Sequence, residues 1–236
     1  MKEHVALNMK AYKVKDNMEN CEEQENYMDW KDVKDKICMR VAGTKLKNDL
    51  KGRAFMLNFL ELGILLYVPN EEHPDRVWIV TPKDMRFWKT TIEEIVLCAI
   101  RNTYHTNQYI LKSMRNYWGT SGVKVAPEYK QDEVTEYVKR KSVYVISTQE
   151  GRFGASAILF TDVFERICKD LNSNLYILPC SVHELILVPE DESSLAADEL
   201  LKIVKEVNQT TVSEEDLLAD NVYYFDRKRG TVEIAA

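Results

Sequence analysis

Tyr176-Ile-Leu-Pro179-Cys180-Ser181-Val182-His183-Glu184 runs without a break into Leu185-Ile-Leu-Val188-Pro189-Glu190. Two apolar runs flank a short polar step, which predicts two strands joined by a turn over Ser181 to Glu184. The surrounding pattern extends this reading. Val143 to Thr148 reads as a strand, Gln149 to Arg152 as a turn and Phe153 to Ile158 as a further strand. Asp162 to Leu171 is helical, Leu175 to Leu178 and Leu185 to Val188 are extended, Ala196 to Asn208 is helical, and Val222 to Phe225 is extended. Strands joined by tight turns, with helices inserted between strand pairs, predict an α+β fold built on a mainly antiparallel sheet, divided into two subdomains.

The N-terminal half follows a different rhythm. Residues 1–28 read as a variable, disordered leader, because Asp16 to Asn26 is rich in Glu, Asn and Gln with little apolar surface to bury. Asp29 offers a helix N-cap, and Trp30, Val33, Ile37 and Val41 recur at helical spacing until Gly43, which predicts one amphipathic helix there. The run from Ala54 to Val68 and the segment Arg76 to Val80, separated by the polar stretch Pro69 to Asp75, predict paired strands around a loop that exposes His73. Thr90 with Glu93 and Thr91 with Glu94 have capping-box spacing, and Ile95, Val96, Ala99 and Ile100 then share one face of a helix from Ile92 to about His105. Tyr109, Ile110, Met114 and Trp118 suggest another helical turn or two. The expected division is therefore an N-terminal helix, hairpin and helix subdomain over 29–118, a connection over 119–141 and a C-terminal α+β subdomain over 142–236.

The chain has 236 residues, of which 45% are hydrophobic and 30% charged, enough to bury a sizeable core. Its net charge of -6 argues against nucleic acid or an anionic membrane as a partner, since neutralising phosphates needs a positive surplus. Lys139-Arg140-Lys141 and Arg227-Lys228-Arg229 are local exceptions, read as solvated strand flanks or turns. Five cysteines, at 21, 38, 98, 168 and 180, contain no Cys-x-x-Cys, so reduced thiols are expected, with neither a disulfide framework nor a zinc site. Met1 to Lys15 lacks the continuous apolar stretch of a secretory signal, and Ala54 to Val68 is too short to span a bilayer. The expected location is the cytoplasm.

Ser181, His183 and Glu184 are the candidate catalytic residues. A metalloprotease helix needs a second histidine four positions after the first, and Leu187 stands there. Ser181 or Cys180 beside His183 supplies the ingredients of a nucleophile and a base, but residues so close in sequence seldom meet at triad geometry, and no Gly-x-Ser-x-Gly elbow is present. The competing reading is a turn in which Ser181 and the imidazole satisfy backbone groups. Gly151-Arg-Phe-Gly154 leads into an expected strand rather than a helix, so it reads as a hairpin turn and not as a phosphate loop. Glu190-Asp191-Glu192 reads as a solvated loop, and Tyr223-Tyr224-Phe225 as core packing rather than a base-stacking platform. No cofactor and no metal are expected.

Tyr176-Ile-Leu-Pro179-x-Ser181-x-His183-Glu184, then Val188-Pro189-Glu190, Val204-Lys-Glu-Val207-Asn208 and Asp220-x-Val222-Tyr223, resemble a conserved family of unknown function from anaerobic gut Firmicutes. Trp30 to Ile37, Leu57 to Tyr67, Trp88, Thr91 to Glu94 and Asn102-Thr103 fit it as well, so the resemblance covers roughly 30–226. Cys180 stands where that family usually has serine, Lys89 where glycine is common and Asn221 where histidine is frequent; a short, different leader replaces a longer N-terminal region. The resemblance implies a cytoplasmic protein of a gut bacterium or its mobile elements, and it draws the eye to Ser181, His183 and Glu184 without assigning them a role. The function expected from the residues is that of a non-enzymatic binding or protein-interaction module, with another protein as partner. The alternatives are a small hydrolase-like enzyme using His183 with Ser181 or Glu184, and a factor in conflict between bacteria and mobile elements. His183 open to solvent beside Ser181, Glu184 or Asn208 would favour the enzyme; a ring bonded to main chain would not.

Overall fold

A computed structural model describes residues 28–73, 76–114, 123–125, 143–192 and 195–236. The expected leader over 1–28 lies outside these apart from Met28, as does most of the expected connection over 119–141, with Lys139-Arg140-Lys141. The chain forms two compact units, one ending at Thr106 and the other running from Asn107 to Ala236. Both are α+β, built on antiparallel sheets.

The first unit is organised around a single strand. In chain order it holds α1 (Trp30–Val33), β1 (Cys38–Ala42), α2 (Thr44–Asp49), β2 (Met56–Phe59), β3 (Leu62–Pro69), β4 (Val77–Ile79), α3 (Pro82–Trp88) and α4 (Ile92–Thr106). Every β3 residue from Leu62 to Val68 is buried, and β3 is also the central strand, with β1 paired along one side and β2 and then β4 along the other. A strand buried on both faces reads as a continuous apolar run rather than an alternating one.

The amphipathic helix expected from Trp30 to Gly43 is not what forms. A single helical turn ends at Val33, and the chain extends as β1. The backbone there is captured from both edges. β3 pairs with β1 from Cys38 to Ala42. On the opposite edge, buried Thr103 of α4 accepts the Met39 N–H at 2.7 Å, and Asn102 Nδ2 donates to the Lys34 and Ile37 carbonyls, each at 2.9 Å. Helical spacing of apolar residues is a weak prior when tertiary partners can take every backbone group. Gly43 accordingly precedes α2 instead of closing a helix before it. Helix α4 starts as expected, with Thr91 Oγ1 accepting the Glu94 N–H at 3.1 Å and Ile95, Val96, Ala99 and Ile100 buried.

The second unit contains β5 (Tyr109–Ser113), β6 (Val123–Lys124), β7 (Tyr144–Thr148), a 3₁₀ turn (Gly154–Leu159), α5 (Thr161–Leu171), β8 (Leu175–Ser181), β9 (Glu184–Pro189), a 3₁₀ turn (Glu190–Glu192), α6 (Ala197–Thr210), β10 (Tyr223–Asp226) and β11 (Thr231–Ile234). Its seven strands lie in the order β11-β10-β8-β9-β7-β5-β6. Helix α6 places Leu200 and Val204 against Leu178, Val188 and Val222, with Tyr176 packed beside them. Alternation puts Phe225 on the other face, where Phe164 of α5 meets its ring at a centroid distance of 5.6 Å. The sheet thus carries a helix on each face.

Two expectations are corrected here. Tyr109 and Ile110 are not helical; they belong to β5, paired with β7 from Tyr109↔Thr148 to Ser113↔Tyr144. The segment from Phe153 is not a strand either, since Gly154 to Leu159 coils into the buried 3₁₀ turn that feeds α5.

Candidate functional site

Strands β8 and β9 are joined by the two-residue turn Val182-His183, so the turn expected at this position is present. Pro179, which has no N–H for a ladder, sits where the β8 register shifts between Leu178 and Ser181, and the strand bends there. The bend delivers the turn to three other segments.

The main chain of the turn is fully engaged. Ser181 Oγ accepts the N–H of His183 at 3.0 Å. The His183 carbonyl accepts the hydroxyl of Ser147 from β7 at 2.7 Å and the N–H of Gly154 at 3.0 Å. Val182 donates to the Asp216 carbonyl at 2.8 Å and accepts from Ala155 N–H at 3.3 Å. Gly154 is required at its position. A Cβ there would stand 2.5 Å from both the His183 carbonyl oxygen and Ser147 Cα, and only glycine permits so close an approach.

The imidazole is held from both nitrogens. Nδ1 accepts the backbone N–H of Phe153 at 3.3 Å, and Nε2 lies 3.1 Å from Asp216 Oδ1. A ring nitrogen that accepts an amide must carry a lone pair, so the hydrogen of the neutral ring sits on Nε2 and donates to the carboxylate. The ring also stacks on Phe153, 5.7 Å between centroids and 19° between planes. Phe153 adopts the left-handed conformation at φ 54°, and the preceding turn is tied by Thr148, whose hydroxyl donates to the Arg152 carbonyl and accepts the Arg152 N–H. Asp216 is fixed in turn, since its Oδ2 accepts the Ser213 hydroxyl at 2.8 Å. The two side chains remain partly open, His183 at 31% and Asp216 at 42% exposure.

The three candidates are neighbours in sequence, and the structure links Ser181 to His183 through main chain. Ser181 Oγ bonds the main-chain N–H of His183 and not its ring. Glu184 opens β9 opposite Ser147 and Ser181. Asn208 spends its amide on the Ala219 carbonyl and Asp220 Oδ1, tying the end of α6 to the loop that follows it. A general base needs a lone pair within reach of the proton that it abstracts. Here Nδ1 already holds an amide and Nε2 faces a carboxylate, so the arrangement orients the ring and pins the turn. Among the described residues, no three His, Cys, Asp or Glu side chains gather to hold a metal ion.

The partners Ser147, Phe153, Gly154 and Asp216 were not singled out as partners of His183 from the sequence. Two signals for them are visible in retrospect. Ser213-Glu-Glu-Asp216 has the spacing of a local hydroxyl and carboxylate cap, and Gly151-Arg-Phe-Gly154 pairs a glycine needed for positive φ with one needed for close approach.

The other polar motifs also serve the sheet. Tyr224 donates to Glu190 Oε2 at 2.9 Å, and Asn174 Nδ2 bonds the same oxygen and the phenol. Burial, followed by the bond to Glu190, pushes the Tyr224 phenol up to about 12. Arg227-Lys228-Arg229 forms the β10–β11 turn, where Asp226 accepts the Lys228 N–H and pairs with the Arg229 guanidinium. The Arg229 hydrogen bond holds the Asp226 carboxyl below its ordinary range. His73 is exposed, as expected of a loop residue.

No helix among the described residues is long and apolar enough to cross a membrane. No curated protein and no solved structure matches the chain. A family model matches residues 1–227, a span that includes the His183 turn and reaches the β10–β11 turn, and by it the chain belongs to a family of unknown function, DUF5688.

Proposed function

We propose that this protein acts as a non-enzymatic protein-interaction module in the cytoplasm. One contrast carries the reading. The polar groups best placed for chemistry, Ser181 Oγ and both ring nitrogens of His183, are spent on main chain and on Asp216. Meanwhile Trp78 and Phe87 of the first unit keep 39% and 45% of their surface exposed. Large aromatic side chains contribute disproportionately to protein interfaces, because they bury much area at little cost in conformational freedom. Among the described residues, Cys38, Cys98 and Cys168 are free thiols, which suits a reducing compartment.

The test is a cross-linked pull-down from a producing strain, comparing the full chain with its Trp78→Ser/Phe87→Ser variant at matched folding by circular dichroism. A protein retained by the natural chain and lost from the variant is the expected outcome. If nothing is enriched, or if the variant retains the same proteins, the reading fails.

A further inference from the structure

The exposed aromatics of the first unit stand in a local charge environment opposite to that of the chain as a whole. From Arg76 to Lys89 there are four basic residues, Arg76, Lys83, Arg86 and Lys89, and one acidic residue, Asp84, in a protein whose net charge is -6. The single acid is withdrawn from the surface. Asp84 is 2% exposed, and its Oδ2 accepts the Thr81 N–H at 2.8 Å and the Thr81 hydroxyl at 2.7 Å in the capping box that starts α3. What the segment offers to solvent is therefore basic and aromatic. Among the described residues, Arg76, Arg86 and Lys89 make no ion pair, and all three are exposed.

Two further features place these groups together. Trp78 Nε1 lies 3.4 Å from Asp84 Oδ2, which holds the indole against the start of α3. Within α3, Lys83, Arg86 and Phe87 have i, i+3, i+4 spacing and lie along one face. Among the described residues, strand β4, which carries Trp78, pairs with β3 alone and so forms part of a sheet edge. An exposed edge strand can receive another extended chain, with pockets for alternate side chains supplying specificity.

We propose that β4 and α3 form the docking surface of the interaction module, and that its partner is an acidic segment of another protein with apolar side chains between its carboxylates. This rests on the interaction reading above. Arg76, Arg86 and Lys89 would meet the carboxylates, while Trp78 and Phe87 would take the apolar groups. Complementary charge at this patch would steer such a segment to it, while the acidic remainder of the chain disfavours its approach elsewhere.

The probe is a fluorescein-labelled peptide of alternating Glu and Leu, titrated against the full chain by anisotropy, with a Lys and Leu peptide and a DNA duplex of equal length as references. The Glu peptide is expected to bind, to weaken at least about tenfold between low and physiological salt, and to lose about tenfold in affinity for Arg86→Glu/Lys89→Glu. Equal binding of the Glu and Lys peptides would overturn the proposal, as would preference for DNA or an unchanged affinity of the variant. So would protection of the surface by a second copy or by the acidic stretch 16–26 of the same chain, seen as an Arg86→Glu/Lys89→Glu variant that changes its oligomeric state or its proteolysis but not its binding. The two readings separate in the pull-down. Partners lost with Trp78→Ser/Phe87→Ser but kept by Arg86→Glu/Lys89→Glu leave the interaction module standing and remove the acidic partner.

Discussion

Each unit turns one of its hairpins in two residues, and the two turns are stabilised in opposite ways. Leu60-Glu61 joins β2 to β3 with Leu60 at φ 51°, the positive value that primed hairpin turns use to match strand twist. The Lys47 ammonium donates to the Glu61 carbonyl at 2.8 Å, and the Leu60 side chain lies 41% exposed. Val182-His183 joins β8 to β9 with neither residue at positive φ, so its local geometry fits the strand twist less well. Bonds from Ser147, Phe153, Gly154, Ala155 and Asp216 compensate. The first turn has the backbone conformation that a tight hairpin asks for, and the second lacks it and is held by bonds from three other segments. Polar residues in a tight turn can thus be structural even when their identities suggest chemistry.

That contrast breaks most severely at Gly154. Gly154→Ala forces a Cβ against backbone atoms of His183 and Ser147 that cannot rotate away. It should cost about 3 kcal/mol or more. Urea unfolding followed by far-UV circular dichroism reads the loss, and a cost below about 1 kcal/mol would mean that the turn is not held as described.

His183→Ala comes next. It removes the acceptor of the Phe153 N–H, the Asp216 contact and the ring stack. A loss of about 1–2 kcal/mol is expected, because the His183 side chain is 31% exposed and water can take over part of its hydrogen bonding. His183→Asn, whose amide oxygen can replace Nδ1 as acceptor, should recover part of it. The same denaturation experiment ranks the three proteins, and equal stability of the Ala and Asn variants would contradict the role of Nδ1.

The first hairpin should respond with the opposite sign. Leu60→Gly relieves a positive φ at an exposed side chain, and a gain of about 0.5–1 kcal/mol is expected. A destabilised variant would show that the Leu60 side chain contributes contacts after all.

The β10–β11 hairpin lies between these extremes, stapled by side chains of its own turn and anchored by Tyr224, and it should show the smallest effects, as pH dependence. Asp226 is held below its ordinary carboxyl range, so its contribution is present above about pH 4 and is lost as pH falls through the lowered value. Tyr224 is raised to about 12, so its contribution is complete below about pH 10 and is lost as pH rises toward 12. Amide exchange in β11 across pH reads both. Asp226→Asn should flatten the acid limb and Tyr224→Phe the alkaline limb, and limbs unchanged in the variants would assign the dependence elsewhere.

Much of the fold is legible in residue patterns because the pattern and the environment agree. Helix α4 announces itself through Thr91, Glu94 and the apolar face at Ile95, Val96, Ala99 and Ile100. The β8–β9 hairpin follows from two apolar runs around a polar step. Trp30 to Gly43 misleads because Trp30, Val33, Ile37 and Val41 have helical spacing, yet the backbone between them is claimed by β3 on one side and by Asn102 and Thr103 on the other. Asn102 and Thr103 bond backbone groups 64 to 68 residues away, beyond any local pattern. Phe153 misleads for a related reason, since an apolar run of Ala, Ile, Leu and Phe suits a buried 3₁₀ turn as well as a strand.

The site shows the same division. Residue order alone places Ser181, Val182, His183 and Glu184 in a turn between strands, rules out a second zinc-binding histidine at Leu187, and supplies a hydroxyl two residues before an N–H that it can accept. It determines the α+β class and the antiparallel pairing through the spacing of apolar runs and turn residues, which are local quantities. Tertiary structure alone decided what the imidazole touches. Asp216 approaches it from 33 residues downstream and Phe153 from 30 residues upstream, and only folding brings a carboxylate and a backbone amide to the two nitrogens of one ring.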